Sequence, residues 1–386
     1  MNARWLPAWT AAPMNVWGPD APLSGFYGQT VREIARVSLG GTAIAVRLSN
    51  VYGHRPLALE AVEIARAGEG GRLEPLTTVP LTFAGARPVT IPAGAAVVSD
   101  PLAMPITALT RLAISYFSSG FIPIDTHHFE AQQTAYISVP GNFAAAGEMI
   151  VQQTTTSHYL LSSIYVEASG AAGAVACFGD STTDGYGSSI DADRRWPDVL
   201  AERLVGEKRA MAVLNQGIGG NRLLHGRRGD HALARFDHDV LALPAVTHLI
   251  LLEGINDIVW PNTVLAGPDE FVTAGDIIAA LRQLLARARL AGIKVMLGTI
   301  MPFEATLPEF PRGGYYTAEK ERIRQTVNRF IRDDSGAEAL ADFDAVVRDP
   351  MHPSRLLPAY DCGDHIHPND AGYRAMADSI DLSFLR

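Results

Sequence analysis

Four short stretches of this chain hold residue types that acyl transfer by a serine requires. Gly179-Asp180-Ser181 offers a hydroxyl, and Asn215 to Asn221 (NQGIGGN) offers backbone N–H groups in a glycine-rich run. Gly254-Ile255-Asn256-Asp257 adds a side-chain amide, and Asp364-His365-Ile366-His367-Pro368 adds imidazoles beside a carboxylate. Such chemistry needs a hydroxyl, a base for its proton, a group that orients the base, and donors for the oxyanion. Ser181 supplies the hydroxyl. In Asp-x-x-His a turn lets Asp364 curl back to Nδ1 of His367. Gly220 has no side chain to keep a substrate from its N–H. Asn256 can donate from its amide to the same point, and the Ser181 N–H is a third donor.

Neighbouring polar residues read as structural. Asp180 and Asp257 stand where a carboxylate usually accepts loop N–H groups. Asp184 reads as a cap for the next turn, with a substrate contact as the alternative, and His365 is out of register with Asp364 and reads as a loop residue. Arg222 and Arg235 follow strand two and could face the cleft, but read as solvated. His127-His128 lies on an extended segment whose alternate side chains point to opposite faces, so the pair does not suit one metal ion. NQGIGGN has Arg222 where the third glycine of a dinucleotide loop would stand, so no nucleotide cofactor is expected. Cys177 and Cys362 lack metal-ligand spacing and read as free thiols. No metal and no other cofactor is expected.

The elements that must position these residues follow from the pattern. From Ala174 onward, apolar runs read as strands at AVACFGD (174–180), MAVLNQG (211–217), THLILLEG (247–254), IKVMLGTI (293–300) and ALADFD (339–344). Such runs suit a parallel sheet covered on both faces. Helical candidates lie between them at about 195–206, 230–242, 269–291 and 317–333, with a last helix from near Asn369. This predicts a three-layer α/β/α domain over 171–386 with a five-stranded parallel sheet. Ligands bind at the carboxyl ends of such strands, which is where all four stretches fall.

Residues 1–170 have a different grammar. QTVREIARVSLGG and TAIAVRLSNVYG alternate apolar and polar residues, with Gly40-Gly41 between them as a hairpin signal. PVTIPAGAAVVSD and TRLAISYFSSG continue the alternation. An antiparallel β-sandwich or jelly roll is expected, with ASGAAGA (168–174) as the boundary. Its aromatic residues Trp9, Trp17, Tyr27 and Tyr52 read mostly as core or domain-interface residues.

The chain has 386 residues, enough for two domains, and 47% hydrophobic with 19% charged residues is a globular balance. A formal net charge of −9 and the absence of any Lys/Arg cluster larger than RRGDH (227–231) argue against a nucleic-acid partner. No stretch reaches the roughly 20 apolar residues of a membrane helix. The first residues lack the apolar core of a signal peptide, which points to the cytoplasm, or to a secreted or periplasmic protein if a leader precedes this sequence. The sequence does not determine the oligomeric state.

The order GDS, N-x-x-x-x-G, G-x-N-D and D-x-x-H resembles the SGNH branch of the GDSL hydrolases, closely over 174–386. It is most similar to a branch of arylesterases and acylhydrolases associated with xylan-degrading genes. TDG after the serine, RWPDVLAERL, RFDHDVLALP, LLEGIND and DCGDHIHPNDAGY carry that likeness, and SLGG…VRLSNVYGHRPLALEAVEIA extends it to the β-domain. Thr182 replaces the isoleucine common in the branch. The resemblance implies a flavodoxin-like fold, Ser181 as nucleophile, His367 as base, Asp364 as its orienting partner, and Ser181 N–H, Gly220 and Asn256 as the oxyanion hole. It also implies a serine esterase acting on short acyl groups, acetyl above all, on carbohydrate or aryl alcohols. A lipase or phospholipid acylhydrolase would bring a wide apolar lid, for which IVWPNTVLAGP (258–268) is the modest candidate. A noncatalytic carbohydrate-binding protein on a hydrolase scaffold is the alternative of a different class.

Overall fold

The computed structural model describes residues 3–15, 25–307 and 314–386, so Trp17 lies outside the described residues. The chain divides into two compact units. One comprises residues 1–172 with 190–193 and 205–214; the other comprises 173–189, 194–204 and 215–386.

The first unit is β-rich and holds two large antiparallel sheets. One is ordered Arg4–Thr10, Leu161–Ala168, Gly41–Asn50, Ala95–Val98, with Leu102–Ile106 also paired to Gly41–Asn50. The other is ordered Val151–Thr155, Ala135–Pro140, Gln29–Arg36, Arg111–Phe117, Ala61–Arg66, Val79–Pro80. Glu33, buried on the second sheet, accepts the N–H groups of Tyr159 and of Leu161, the latter at 3.1 Å, and so ties the two sheets together. Trp9 is buried, Tyr52 half-buried and Tyr27 exposed.

The expected hairpin at Gly40-Gly41 does not form. Gln29–Arg36 and Gly41–Asn50 are strands of different sheets, so the chain passes from one sheet to the other here. The glycines serve close approach instead. A Cβ on Gly40 would lie 2.6 Å from the Ile106 carbonyl oxygen, and one on Gly41 2.6 Å from that of Glu167.

A five-stranded parallel sheet, whose β2 is divided between the two units at Leu214, comprises β1 (Gly173–Gly179), β2 (Met211–Gly217), β3 (Val246–Leu252), β4 (Lys294–Gly298) and β5 (Ala339–Ala341). Their spatial order is β2-β1-β3-β4-β5. Every residue of β1 is buried, as the apolar runs required. The helices are α1 (Ser181–Asp184), α2 (Trp196–Gly206), α3 (Ala232–Phe236), α4 (Ile255–Val259), α5 (Ala274–Leu290), α6 (Ala318–Arg329), α7 (Phe343–Val347) and α8 (Asp370–Ser379). α5 starts five residues later than its periodicity suggested. Pro268–Glu270 forms a separate 3-10 turn, and Thr273 and Asp276 then close a capping box around the true start. Its face of Ile277, Leu281, Leu284, Leu285 and Ala288 is buried. None of the described helices is long and apolar enough to cross a membrane.

The strand order decides where a ligand can enter. In a 2-1-3-4-5 sheet the crossovers leave β1 in opposite directions, and a crevice opens at the carboxyl ends around it. β1 ends two residues before Ser181, and its neighbours β2 and β3 lead into the loop that carries Gly220 and the short helix α4 that carries Asn256.

Gly40→Ala should lower stability by about 1–3 kcal/mol, because the added methyl meets backbone rather than a movable side chain. A urea midpoint equal to that of the wild type would refute the close-approach reading of this glycine.

Candidate active site

Ser181 begins α1 directly after β1. Asp180 is the cap of that short helix, and its Oδ1 accepts the Thr182 N–H at 2.9 Å. The helix stops after one turn because Gly185 adopts a left-handed φ of 103° and returns its N–H to the Ser181 carbonyl. The hydroxyl is thus held at a sharp strand-to-helix corner, 6% exposed.

The structure brings Ser181 and His367 together across 186 residues. Ser181 Oγ lies 2.7 Å from His367 Nε2. His367 Nδ1 lies 2.6 Å from Asp364 Oδ2, and Asp364 Oδ1 accepts the backbone N–H groups of Ile366 (3.0 Å) and His367 (2.9 Å). An imidazole protonated at Nδ1 satisfies both contacts, with the serine donating to Nε2. Burial opposes ionisation of Asp364. The hydrogen bond and charge of His367, with the two backbone donors, outweigh it and hold the carboxyl well below the usual range. The Tyr186 ring packs 4.7 Å from the imidazole, centroid to centroid.

Gly220 lies on the loop after β2, and Asn256 in the first turn of α4, just after β3. Gly220 has a φ of 76°, and a Cβ there would meet Trp260 at 2.9 Å and Arg228 at 2.7 Å. Among the described residues, the N–H groups of Ser181 and Gly220 have no acceptor. Asn256 Nδ2 uses one hydrogen on the carbonyl of Asn221 at 3.0 Å and keeps one free. Asp257 then accepts Leu223 N–H at 2.7 Å and Leu224 N–H at 3.1 Å, so two consecutive residues of one strand end fix the loop of another.

Arg235 is not solvated, contrary to its sequence reading. Its side chain is 1% exposed, and all five of its N–H groups have acceptors. Nε donates to Asn221 Oδ1 (2.9 Å), one terminal nitrogen to Gln216 O (2.8 Å) and Asp239 (2.9 Å), and the other to Gly179 O (2.8 Å) and Glu253 (3.5 Å). The guanidinium stacks 4.0 Å above the Phe178 ring centroid. Arg222 is buried as well. It pairs with Glu270 at 2.5 Å, donates to Gly226 O and lies over Trp260. Both arginines turn inward because the carbonyls at the strand ends and the nearby carboxylates need donors that water does not supply there.

Asp184 also serves the neighbouring loop: its carboxylate accepts the Gly219 N–H at 3.1 Å and so holds the chain just before Gly220. His365 lies in a loop, as its register suggested, and is not idle there. Its Nδ1 pairs with Asp361 at 2.5 Å, which gives the loop a second imidazole–carboxylate pair. Segment 258–268 is anchored rather than lid-like. Ile258, Val259, Trp260 and Ala266 are buried, and Lys320 Nζ donates to the carbonyls of Val259 (2.7 Å) and Pro261 (2.8 Å). Burial without a carboxylate partner pushes Lys320 down to about 8.

Among the described residues, Asp361, Cys362 and Asp364 form the one set with metal-ligand spacing. It is a poor donor set. Both carboxylates are engaged by imidazoles, and burial with the charges of Asp364 and Asp361 pushes the Cys362 thiol up to about 12.

The model of the GDSL-like lipase/acylhydrolase family matches residues 177–375. Among curated protein sequences none matches. Similar solved structures include a GDSL-like lipase from Bacteroides thetaiotaomicron, at 20% identity over 55% of this chain and 87% of that one, with a TM-score of 0.41. An acetyl xylan esterase is 22% identical over 53% and 96%, with a TM-score of 0.39. A variant of an acetyl-xylooligosaccharide esterase from Geobacillus is 20% identical over 55% and 93%, with a TM-score of 0.41.

Below the nucleophile, burial raises Asp180 to about 6 against the Thr182 N–H and the charges of His367 and Arg235, and burial with the charge of Asp180 raises Glu253 further. A carboxyl whose folded value is raised stabilises below its unfolded value, near 4, and loses that contribution as pH rises through the folded value. The stability advantage of the wild type over Asp180→Asn should therefore shrink between about pH 4 and 6. Urea midpoints across that range measure it, and a gap that widens with pH would show the carboxyl to be ionised throughout.

Proposed function

The chain belongs to the GDSL-like lipase/acylhydrolase family, and from that premise we propose that it is a serine esterase working through an acyl-enzyme. The observation that carries this reading is the unbroken hydrogen-bonded chain from Ser181 Oγ through His367 to Asp364, at 2.7 and 2.6 Å. His367 Nε2 takes the hydroxyl proton as Ser181 Oγ attacks the ester carbonyl. Asp364, held ionised, keeps the imidazole in the Nδ1–H form and stabilises the imidazolium that results. The tetrahedral oxyanion is received by the N–H groups of Ser181 and Gly220 and the free hydrogen of Asn256. The imidazolium then protonates the departing alcohol. In the second half-reaction His367 takes a proton from water, whose oxygen attacks the acyl carbon, and returns that proton to Ser181 as the acid leaves.

A short acyl group, with acetyl foremost, on a carbohydrate or aryl alcohol is the substrate class we propose, and one feature favours it over a long acyl chain. The anchoring of 258–268 removes the mobile apolar lid that a lipase would need.

Hydrolysis of p-nitrophenyl acetate tests the reading. Ser181→Ala should abolish turnover, and Asn256→Ala should lower kcat about 100-fold or more with the fold retained. Near-full activity in Ser181→Ala would end the esterase assignment.

A further inference from the structure

The loop that delivers His367 to Ser181 has a second face. His365, two residues earlier, is held at a left-handed φ of 65°, which a non-glycine residue adopts at a cost. Asp361 fixes it there with both oxygens: Oδ1 accepts the His365 N–H at 3.1 Å and Oδ2 pairs with Nδ1 at 2.5 Å. The pair lines a cavity of ≈ 570 Å³, within the size range of small-molecule sites. The other polar groups on its wall are Glu304, Asp349, His352 and Arg355.

The wall is preformed. Glu304 is clamped by Arg355 through Nε at 3.0 Å and through a terminal nitrogen at 2.5 Å, and by the Ser354 hydroxyl. Asp349 donates its N–H to the Arg355 carbonyl at 2.8 Å and accepts the Met351 N–H at 2.8 Å. The chemistry of the wall narrows its ligand. Three carboxylates would repel an anion. A fatty acyl chain would bury charges against hydrocarbon. Two of the three carboxylates already have cationic or imidazole partners, which leaves a metal ion too few free oxygens. Paired acceptors and donors, with Pro358 and the buried Leu356 behind it as a small apolar patch, match a ligand that offers hydroxyls of both kinds on a ring with an apolar face.

We propose that this cavity is a carbohydrate subsite, in which unesterified sugar units of an oligosaccharide are held by His365, Asp361, His352 and Asp349. It rests on the esterase reading for its purpose, since it would place a glycan on the same loop as the catalytic histidine. Its binding is testable without turnover.

Calorimetric titration of the full chain with unesterified cellotetraose decides the matter. The expected result is saturable binding that weakens about tenfold in His352→Ala and again in Asp349→Asn. The His352 side chain is exposed and makes no hydrogen bond among the described residues, interacting with Glu304 through charge, so its removal should leave the unfolding midpoint nearly unchanged. Absence of saturable binding by the wild type, equal affinity in the variants, or competition by calcium for the same residues would overturn the subsite. If cellotetraose binds as expected while p-nitrophenyl acetate is not hydrolysed, the esterase reading falls and the subsite stands. If the ester is hydrolysed and cellotetraose does not bind, the subsite alone falls.

Discussion

A single buried guanidinium governs the geometry of the candidate site. Arg235 reaches the carboxyl ends of β1, β2 and β3 at once, through Gly179 O, Gln216 O and Glu253, and it also holds the side chain of Asn221. Asn221 in turn receives the Asn256 amide on its carbonyl. The strand that leads to Ser181, the loop that carries Gly220 and the start of α4 with Asn256 are therefore referenced to one planar cation. Burying it costs several kcal/mol of desolvation, offset only because every N–H finds an acceptor. Losing one member of such a buried set typically costs about 3–5 kcal/mol, because the remaining charges are left unpaired.

Around that cation the charges are arranged in opposite senses. Asp364 is held ionised by the histidine it orients. Asp180, next to Ser181 in the chain, and Glu253 are pushed toward their neutral forms by burial, Glu253 also by the charge of Asp180. The Ser181–His367 pair thus stands between a carboxylate held ionised and two carboxyls whose ionisation burial opposes.

Much of this was legible in the sequence. Ser181, Gly220, Asn256, Asp364 and His367 stand out in the sequence by residue type and spacing, and the structure joins Ser181, His367 and Asp364 by hydrogen bonds. The sheet is readable because strands buried on both faces become apolar runs. Arg235 was not readable, since three of its five partners are backbone carbonyls or an asparagine oxygen with no signature of pairing. Asp184 escaped for the same reason, its partner being the Gly219 N–H. Gly40-Gly41 misled because a glycine pair marks a turn and a close approach equally well, and only the sheet order separates them. His365 looked incidental because its carboxylate lies four residues upstream, outside the Asp-x-x-His register.

The central claim is that Ser181 becomes acylated. Its most direct measurement is mass spectrometry of the protein quenched in acid during turnover of p-nitrophenyl acetate, with the modified peptide sequenced. The expected result is one acetyl group on Ser181, accumulating further when deacylation is slowed and absent from Ser181→Ala. An acetyl group on another residue, or steady turnover with no covalent intermediate under conditions that slow deacylation, would contradict the mechanism.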